Sequence, residues 1–323
     1  KQREPAVLGA IAEYEAALNL DPKFAGALGR LGYSYGLALN WAYRPGGLPL
    51  DSVFARGLAA SNRAILLDSS ASDGWLGKAL VLFFRNEPQD LVLAPDAARR
   101  AVTLDPTNDA AHQWYGVVLR RLGRFDEAEQ EYHRALAINP ERIQSVSDVG
   151  FVAMSRRSYK VAVQWYERGV RLDSTVSSTW MMLAYARAAA GDVSGAMRSA
   201  RAALALSTES ERIRMLAVVA EMDARSGDRT AAQTHFREML RHLGDSAGAL
   251  PAVIGVRDAW ECASAAVALG ERELAITILE RTRPRGPWLW SYLIFEGFDP
   301  IRSDARFRRI IDESRPAGAR DPG

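Results

Sequence analysis

Small residues recur in this chain at a fixed step of 34 positions. Ala94, Ala128, Ala162 and Ala196 form one column, and Ala101, Ala135, Gly169 and Ala203 form a second. Larger residues keep the same step. Tyr132 and Tyr166 fall between the two columns, and Tyr115, Val149 and Leu183 are each followed by Gly116, Gly150 or Ala184. Such a period marks a stacked-repeat architecture, in which no unit buries its own apolar face and each is completed by its neighbours.

The best copy runs from 109 to 140 and predicts a helix over 109–121 and another over 125–138, both with apolar residues at three- and four-residue spacing. Gly123 lies between them, where a left-handed turn is needed. The second helix is expected to stop at Asn139-Pro140, because proline cannot join the helix ladder and disfavours the helical region for the residue before it. Asp21-Pro22 and Asp105-Pro106 repeat that stop, and Asp68-Ser69 and Asp173-Ser174 replace it with side-chain capping.

These slots resemble the tetratricopeptide repeat, with its spaced Trp-Leu-Gly-Tyr, Ala, aromatic, Ala and Pro positions; Trp75 and Trp180 fill the Trp slot. The resemblance implies an all-α fold, a right-handed superhelical solenoid of helix-turn-helix repeats with a C-terminal helical cap. It divides the chain into a solenoid over 1–286, with a half repeat at 1–24 and repeats starting near 25, 72, 109, 143, 177, 213 and 256, then a cap over 287–315 and a disordered tail over 316–323. The unit at 25 departs from the pattern by an insertion from Trp41 to Leu50. In the unit at 72, residues 87–95 are expected to connect the helices, and Lys78 falls in an apolar slot. Gly227 and Gly270 are expected at later inter-helix turns.

The closing stretch, PWLWSYLIFEGFDPIRSDARFRRII, resembles the end of bacterial tetratricopeptide regions that follow a serine/threonine kinase or a winged-helix domain. Its Trp288, Trp290, Phe298, Phe307, Ile310 and Ile311 are expected to cover the apolar face of the final repeat. No kinase motif occurs in the chain. Because its first residues read as the second helix of a repeat, the chain is expected to be a piece of a longer protein or a processed one.

At 323 residues, 48% hydrophobic and 25% charged, the chain has enough apolar material for a core. A net charge of +2 argues neither for a nucleic-acid footprint nor for an anionic membrane surface, although all but four of the 41 basic residues are arginine, and no nucleic-acid partner is expected. The longest apolar stretch, Leu80 to Phe84, is far too short to span a bilayer, so no direct membrane insertion is expected. A cytoplasmic setting is favoured, or an extracytoplasmic one if a membrane-spanning segment precedes Lys1.

Residues that could carry chemistry are few. Gly32-Tyr33-Ser34-Tyr35-Gly36 matches the nucleophile-elbow spacing, but it sits in helix slots where that motif needs a strand-to-helix turn. His112, His133, His235 and His242 have no metal-site spacing, and Cys262 stands alone in an apolar slot. Asp126, Glu127, Glu129 and Glu131 open a helix, where negative charge complements the dipole. No catalytic residue, metal or cofactor is expected, and the chain is not expected to be an enzyme.

In the family that the chain resembles, the first helix of each repeat lines a concave face. Carried over slot by slot, a partner-binding groove comprises Tyr33, Leu80, Phe83, Gln113, Trp114, Gln144, Asp148, Phe151, Met154, Met181, Met182 and Tyr185, with Leu76, Arg214, Glu221 and Trp260 beside them. Such a surface suits an extended peptide or an amphipathic helix bearing large apolar side chains. The same residues could instead pack on neighbouring helices or on the chain's own termini. A basic edge for an acidic partner is expected from Arg120, Arg121, Arg124, Arg156 and Arg157 at successive turns. The sequence thus points to a protein-interaction scaffold, either in a larger assembly or as the sensing region of a bacterial signalling protein. Its rivals are a permanent structural subunit and an enzyme with an unrecognised site.

Overall fold

The computed structural model describes residues 3–85, 87–244, 250–283, 286–317 and 319. Among them the structure is built from α-helices, with a single pair of two-residue strands. It divides into two compact units. Unit 1 takes in the chain up to Leu119 together with Asp126–Pro140; unit 2 takes in Arg120–Phe125 and the chain from Glu141 onward.

Unit 1 begins with α1 (Arg3–Leu20), α2 (Ala25–Trp41), α3 (Leu50–Leu67), α4 (Ser72–Arg85) and α5 (Pro88–Leu104). α2 packs on α1, α3 and α4, and α4 also packs on α3 and α5. Val7, Ile11, Leu28, Leu31, Tyr35 and Val53 form one buried cluster, against which the insertion sets Tyr43 and Leu48. Most of α6 (Asp109–Arg121) and of α7 (Phe125–Ile138) completes the unit. Gly116 of α6 lies against Tyr132 of α7; a Cβ on Gly116 would come within 2.5 Å of the tyrosine ring. The small-residue slot is thus a site of close helix approach.

Residues 88–95 do not connect two helices, as the sequence suggested, but form the first half of α5, with Pro95 inside it. Proline at the start of a helix lacks an N–H that would have no partner there anyway. Pro95 removes a ladder bond, at about 3 kcal/mol or more. Burial offsets that loss: Ala94, Ala98 and Ala101 on either side of it are fully buried. Lys78 is half-buried on α4, with its ammonium 5.7 Å from the centre of the Trp75 ring.

Unit 2 stacks α8 (Ile143–Ser155), α9 (Tyr159–Leu172), α10 (Ser177–Ala189), α11 (Val193–Leu206), α12 (Arg212–Ser226), α13 (Arg229–Leu243), α14 (Val256–Leu269) and α15 (Arg272–Arg281). Each helix packs on the next in sequence. Asp192 and Asp228 cap α11 and α13 by accepting from the Gly195 and Ala231 amides at 2.8 and 3.0 Å. β1 (Ile254–Gly255) and β2 (Thr282–Arg283) pair in parallel and tie the entry of α14 to the exit of α15. The inter-helix turns use the left-handed region at Gly123, Gly191, Gly227 and Gly270. At the position 34 residues after Gly123 the turn is made by Arg157, at φ 56°.

The chain closes with α16 (Pro287–Leu293), a 3-10 segment (Glu296–Ile301) and α17 (Ala305–Ser314). α17 packs on α15 and buries Phe307, Ile310 and Ile311, as a cap on the last hairpin would. α16 packs on α17 and on α14, and its Trp288 and Trp290 also meet residues from earlier in the chain. The Trp290 ring stacks 6.1 Å from Phe125 and the Trp288 ring lies 5.4 Å from the Arg121 guanidinium, several hairpins earlier in sequence. Of the tail expected to be disordered, residues 318 and 320–323 lie outside the described residues.

Candidate functional site

The repeat register brings Tyr33 of α2, Leu80 and Phe83 of α4, and Gln113 and Trp114 of α6 to the first-helix faces of unit 1. Leu80, Phe83 and Gln113 are buried, so their role is packing; Tyr33 and Trp114 are half-buried. The Trp114 indole N–H donates to the Tyr33 hydroxyl at 3.2 Å. Phe84, which the slot-by-slot reading passed over, meets the Trp114 ring edge-on at 5.5 Å and 89°. Three successive first helices therefore share one partly exposed aromatic cluster, Tyr33, Phe84 and Trp114. The three extra residues between the units at 72 and 109 shift the columns and hide Phe84 from a strict 34-residue step.

In unit 2 the corresponding apolar residues are covered. Phe151, Met154, Met181, Met182 and Tyr185 are buried, Gln144 is exposed and Asp148 is half-buried. Phe151 meets the rings of Tyr292 and Phe295 at 5.2 and 5.0 Å. Tyr185 lies 5.0 Å from Trp260, which stacks on Tyr292 at 4.5 Å and 16°. Burial pushes the Tyr185 phenol well above its ordinary pKa, and the carboxylates of Glu221 and Glu261 add to this. Faces of α8, α12 and α14 thus hold the chain's own closing segment. A sequence signal for this existed in the aromatic density of 288–298, but nothing in it says which face those rings meet.

Of the expected edge arginines, Arg120, Arg121 and Arg157 make contacts within unit 2. Arg120 is buried, with its guanidinium 4.0 Å from the Phe151 ring centre and 3.7 Å from the Asp148 carboxylate. Arg121 lies over Trp288. Arg157 donates two hydrogen bonds to Asp299, at 2.7 and 2.8 Å. Arg124 is exposed and Arg156 half-buried.

The remaining polar groups are held structurally. Ser34 lies within α2 and donates to the Arg30 carbonyl at 2.9 Å, which removes the elbow geometry. His112 is buried between the Glu131 carboxylate at 2.6 Å and the Pro106 carbonyl at 3.1 Å, and Arg134 also pairs with Glu131. His235 bonds the buried Asp223 at 2.8 Å. Cys262 is fully buried in α14, and burial pushes its thiol well above the ordinary range. A cavity of about 270 Å³ lies against α1, α2 and the insertion. There Tyr35 donates to Glu15 at 2.6 Å, and burial holds its pKa up at about 12. Among the described residues no group of three or more His, Cys, Asp or Glu is placed to hold a metal ion, and no helix is long and apolar enough to cross a membrane.

Residues 109–142 match the tetratricopeptide repeat family. The chain is 27% identical over 124 residues to the type IV pilus assembly protein PilF of Pseudomonas aeruginosa, a match covering 38% of this chain and 48% of that protein. It is 24% identical over 138 residues to anaphase-promoting complex subunit 3 of Schizosaccharomyces pombe, covering 43% of this chain and 20% of that one. It therefore spans less than half the length of either relative. Among solved structures, the APC/C hetero-tetramer Cut9-Hcn1 superposes with a TM-score of 0.60 at 14% identity, over 76% of this chain and 45% of that one. The fold is that of the all-α tetratricopeptide solenoids.

Proposed function

We propose that this chain is a protein-interaction scaffold whose first-helix face in unit 1 takes up large apolar side chains from a partner peptide or helix. The observation that carries this reading is the partly exposed cluster of Tyr33, Phe84 and Trp114 on three successive first helices. Such rings bring much apolar area and little side-chain entropy to an interface, and burying that area stabilises a complex by about 25 cal/mol per Å². The indole–phenol hydrogen bond pre-orients two of them. Leu80, Phe83 and Gln113 form the floor beneath.

An assembly role is supported by the relatives, one named as a pilus assembly protein and another as a subunit of a complex. The finer context, the sensing region of a bacterial signalling protein, is supported by the resemblance of the closing stretch. A permanent structural subunit is the second reading, favoured by the same subunit relative; it calls for recovery at fixed stoichiometry with its neighbours.

The test is capture of partners by the intact chain and by Trp114→Ala, with Leu66→Ala, at an exposed leucine on α3, as control. Truncating a central aromatic anchor is expected to weaken capture about tenfold or more, with the helical signal unchanged. Equal capture by both variants would move the partner to another face.

A further inference from the structure

The closing segment of unit 2 behaves in its contacts like a bound peptide. Tyr292 and Phe295, three residues apart, present their rings to Phe151 of α8 and, through Tyr292, to Trp260 of α14. Gly297 follows, and its backbone approaches so closely that a Cβ there would come within 2.8 Å of the Ser264 hydroxyl and 3.8 Å of the Glu221 carboxylate. The acidic residues on either side of it meet arginines: Glu296 pairs with Arg225 at 2.9 Å, and Asp299 takes both hydrogen bonds from Arg157. Phe151 lies on α8, Arg225 and Glu221 on α12, and Trp260 and Ser264 on α14, so one short stretch of chain meets the first helices of three hairpins of unit 2.

Arg157 makes this arrangement more than packing. It stands where the turns 34 residues before and after use glycine, and at φ 56° it adopts a backbone conformation that costs a side-chain-bearing residue about 1–2 kcal/mol. Residues held in such conformations cluster at ligand clamps. Here the strained position places a guanidinium fork in front of the Asp299 carboxylate, which is the planar, bidentate recognition that arginine performs and lysine does not.

We propose that the inner face of unit 2 is a docking groove for a partner segment of one chemistry, two aromatic residues three apart followed by glycine and flanking carboxylates, and that residues 288–299 fill it as an intramolecular stand-in. A tethered segment competes at an effective concentration of about millimolar. A partner must therefore carry the same features in a stronger combination, or arrive when the stand-in is released. The inference is independent of what unit 1 binds, because it rests on unit 2 alone.

The test uses the full chain and a labelled synthetic peptide with the sequence of residues 287–301. Wild type is expected to bind it weakly. The triple variant Tyr292→Ala, Phe295→Ala, Asp299→Ala is expected to bind it at least about tenfold more tightly, since the competitor has been weakened, and adding Arg157→Ala is expected to reverse most of that gain. A folded triple variant with no gain would overturn the proposal. So would a gain indifferent to Arg157→Ala. Loss of cooperative unfolding in the triple variant would overturn it as well, because the segment would then be core and not occupant. The double variant Glu296→Ala, Asp299→Ala, which leaves every buried ring in place, must show the same direction of change.

Discussion

The Tyr292 ring lies flat on the Trp260 indole, 4.5 Å away and inclined by 16°, and so joins the closing segment to the helix that carries Cys262. Ring pairs of this kind contribute about 0.5–1.5 kcal/mol beyond the area they bury. Tyr292→Leu keeps apolar bulk and loses the stack. Its unfolding free energy is expected to fall by that amount, read as a lower urea midpoint with the slope unchanged, and an unaltered midpoint would show that the stack contributes nothing.

Asp299 supplies a pH signature. Arg157 donating into its carboxyl holds it below the usual carboxylate range; desolvation opposes the effect and Arg302 adds to it. A carboxyl depressed in the folded state stabilises fully above its unfolded pKa of about 3.9 and loses that contribution as pH falls through the folded value. Wild type is therefore expected to melt above Asp299→Asn at neutral pH, by a small margin because both partners are well exposed. The two melting curves should converge in acid below pH ~3.9. A gap that persists there would detach the effect from this pair.

Gly116 and Gly9 should respond in opposite senses to the same substitution. Gly116→Ala drives a methyl into Tyr132 and is expected to destabilise by about 1–3 kcal/mol. Gly9, exposed on α1 with nothing within 4 Å of its Cβ position, is expected to gain about 0.5–1 kcal/mol from helix propensity alone. Paired denaturation curves decide this, and similar shifts would mean that the Gly116 slot has more room than its geometry shows.

Glu131 and His112 form a buried pair in unit 1, with side chains 6% and 7% exposed. Removing Glu131 leaves the buried His112 Nδ1 without its partner, with only the Pro106 carbonyl remaining on Nε2. Glu131→Ala, which leaves a buried ring nitrogen unsatisfied, is expected to cost about 1–3 kcal/mol of unfolding free energy, and Glu131→Gln, which keeps an acceptor, less than that. Equal losses for the two variants would place the cost in packing.

The fold class was legible because close helix approach demands small residues, and those demands recur as columns at Ala128 and Ala162 or at Gly116 and Gly150. α5 was not, because local rules assign Pro88 and Pro95 to a connector while the burial of Ala94 and Ala98 overrides them. Candidate site positions could be placed on a face but not given an exposure. Whether Phe151 is groove or core depends on Tyr292, a residue 141 positions later whose destination no periodicity encodes. Arg157 did leave a trace: it breaks a glycine column between Gly123 and Gly191, and such a break is worth reading as a demand for a side chain there.

Cys262 turns the architecture into its own clock. It is the only sulfhydryl in the chain, and it sits without solvent contact in the helix that carries Trp260, the ring on which Tyr292 stacks. A thiol-specific reagent can reach it only when α14 opens, so alkylation timed by mass measurement reports the frequency of that opening in the unaltered protein. If displacement of residues 288–299 loosens α14, alkylation speeds up; if the helix stays shut, the sulfur keeps its pace.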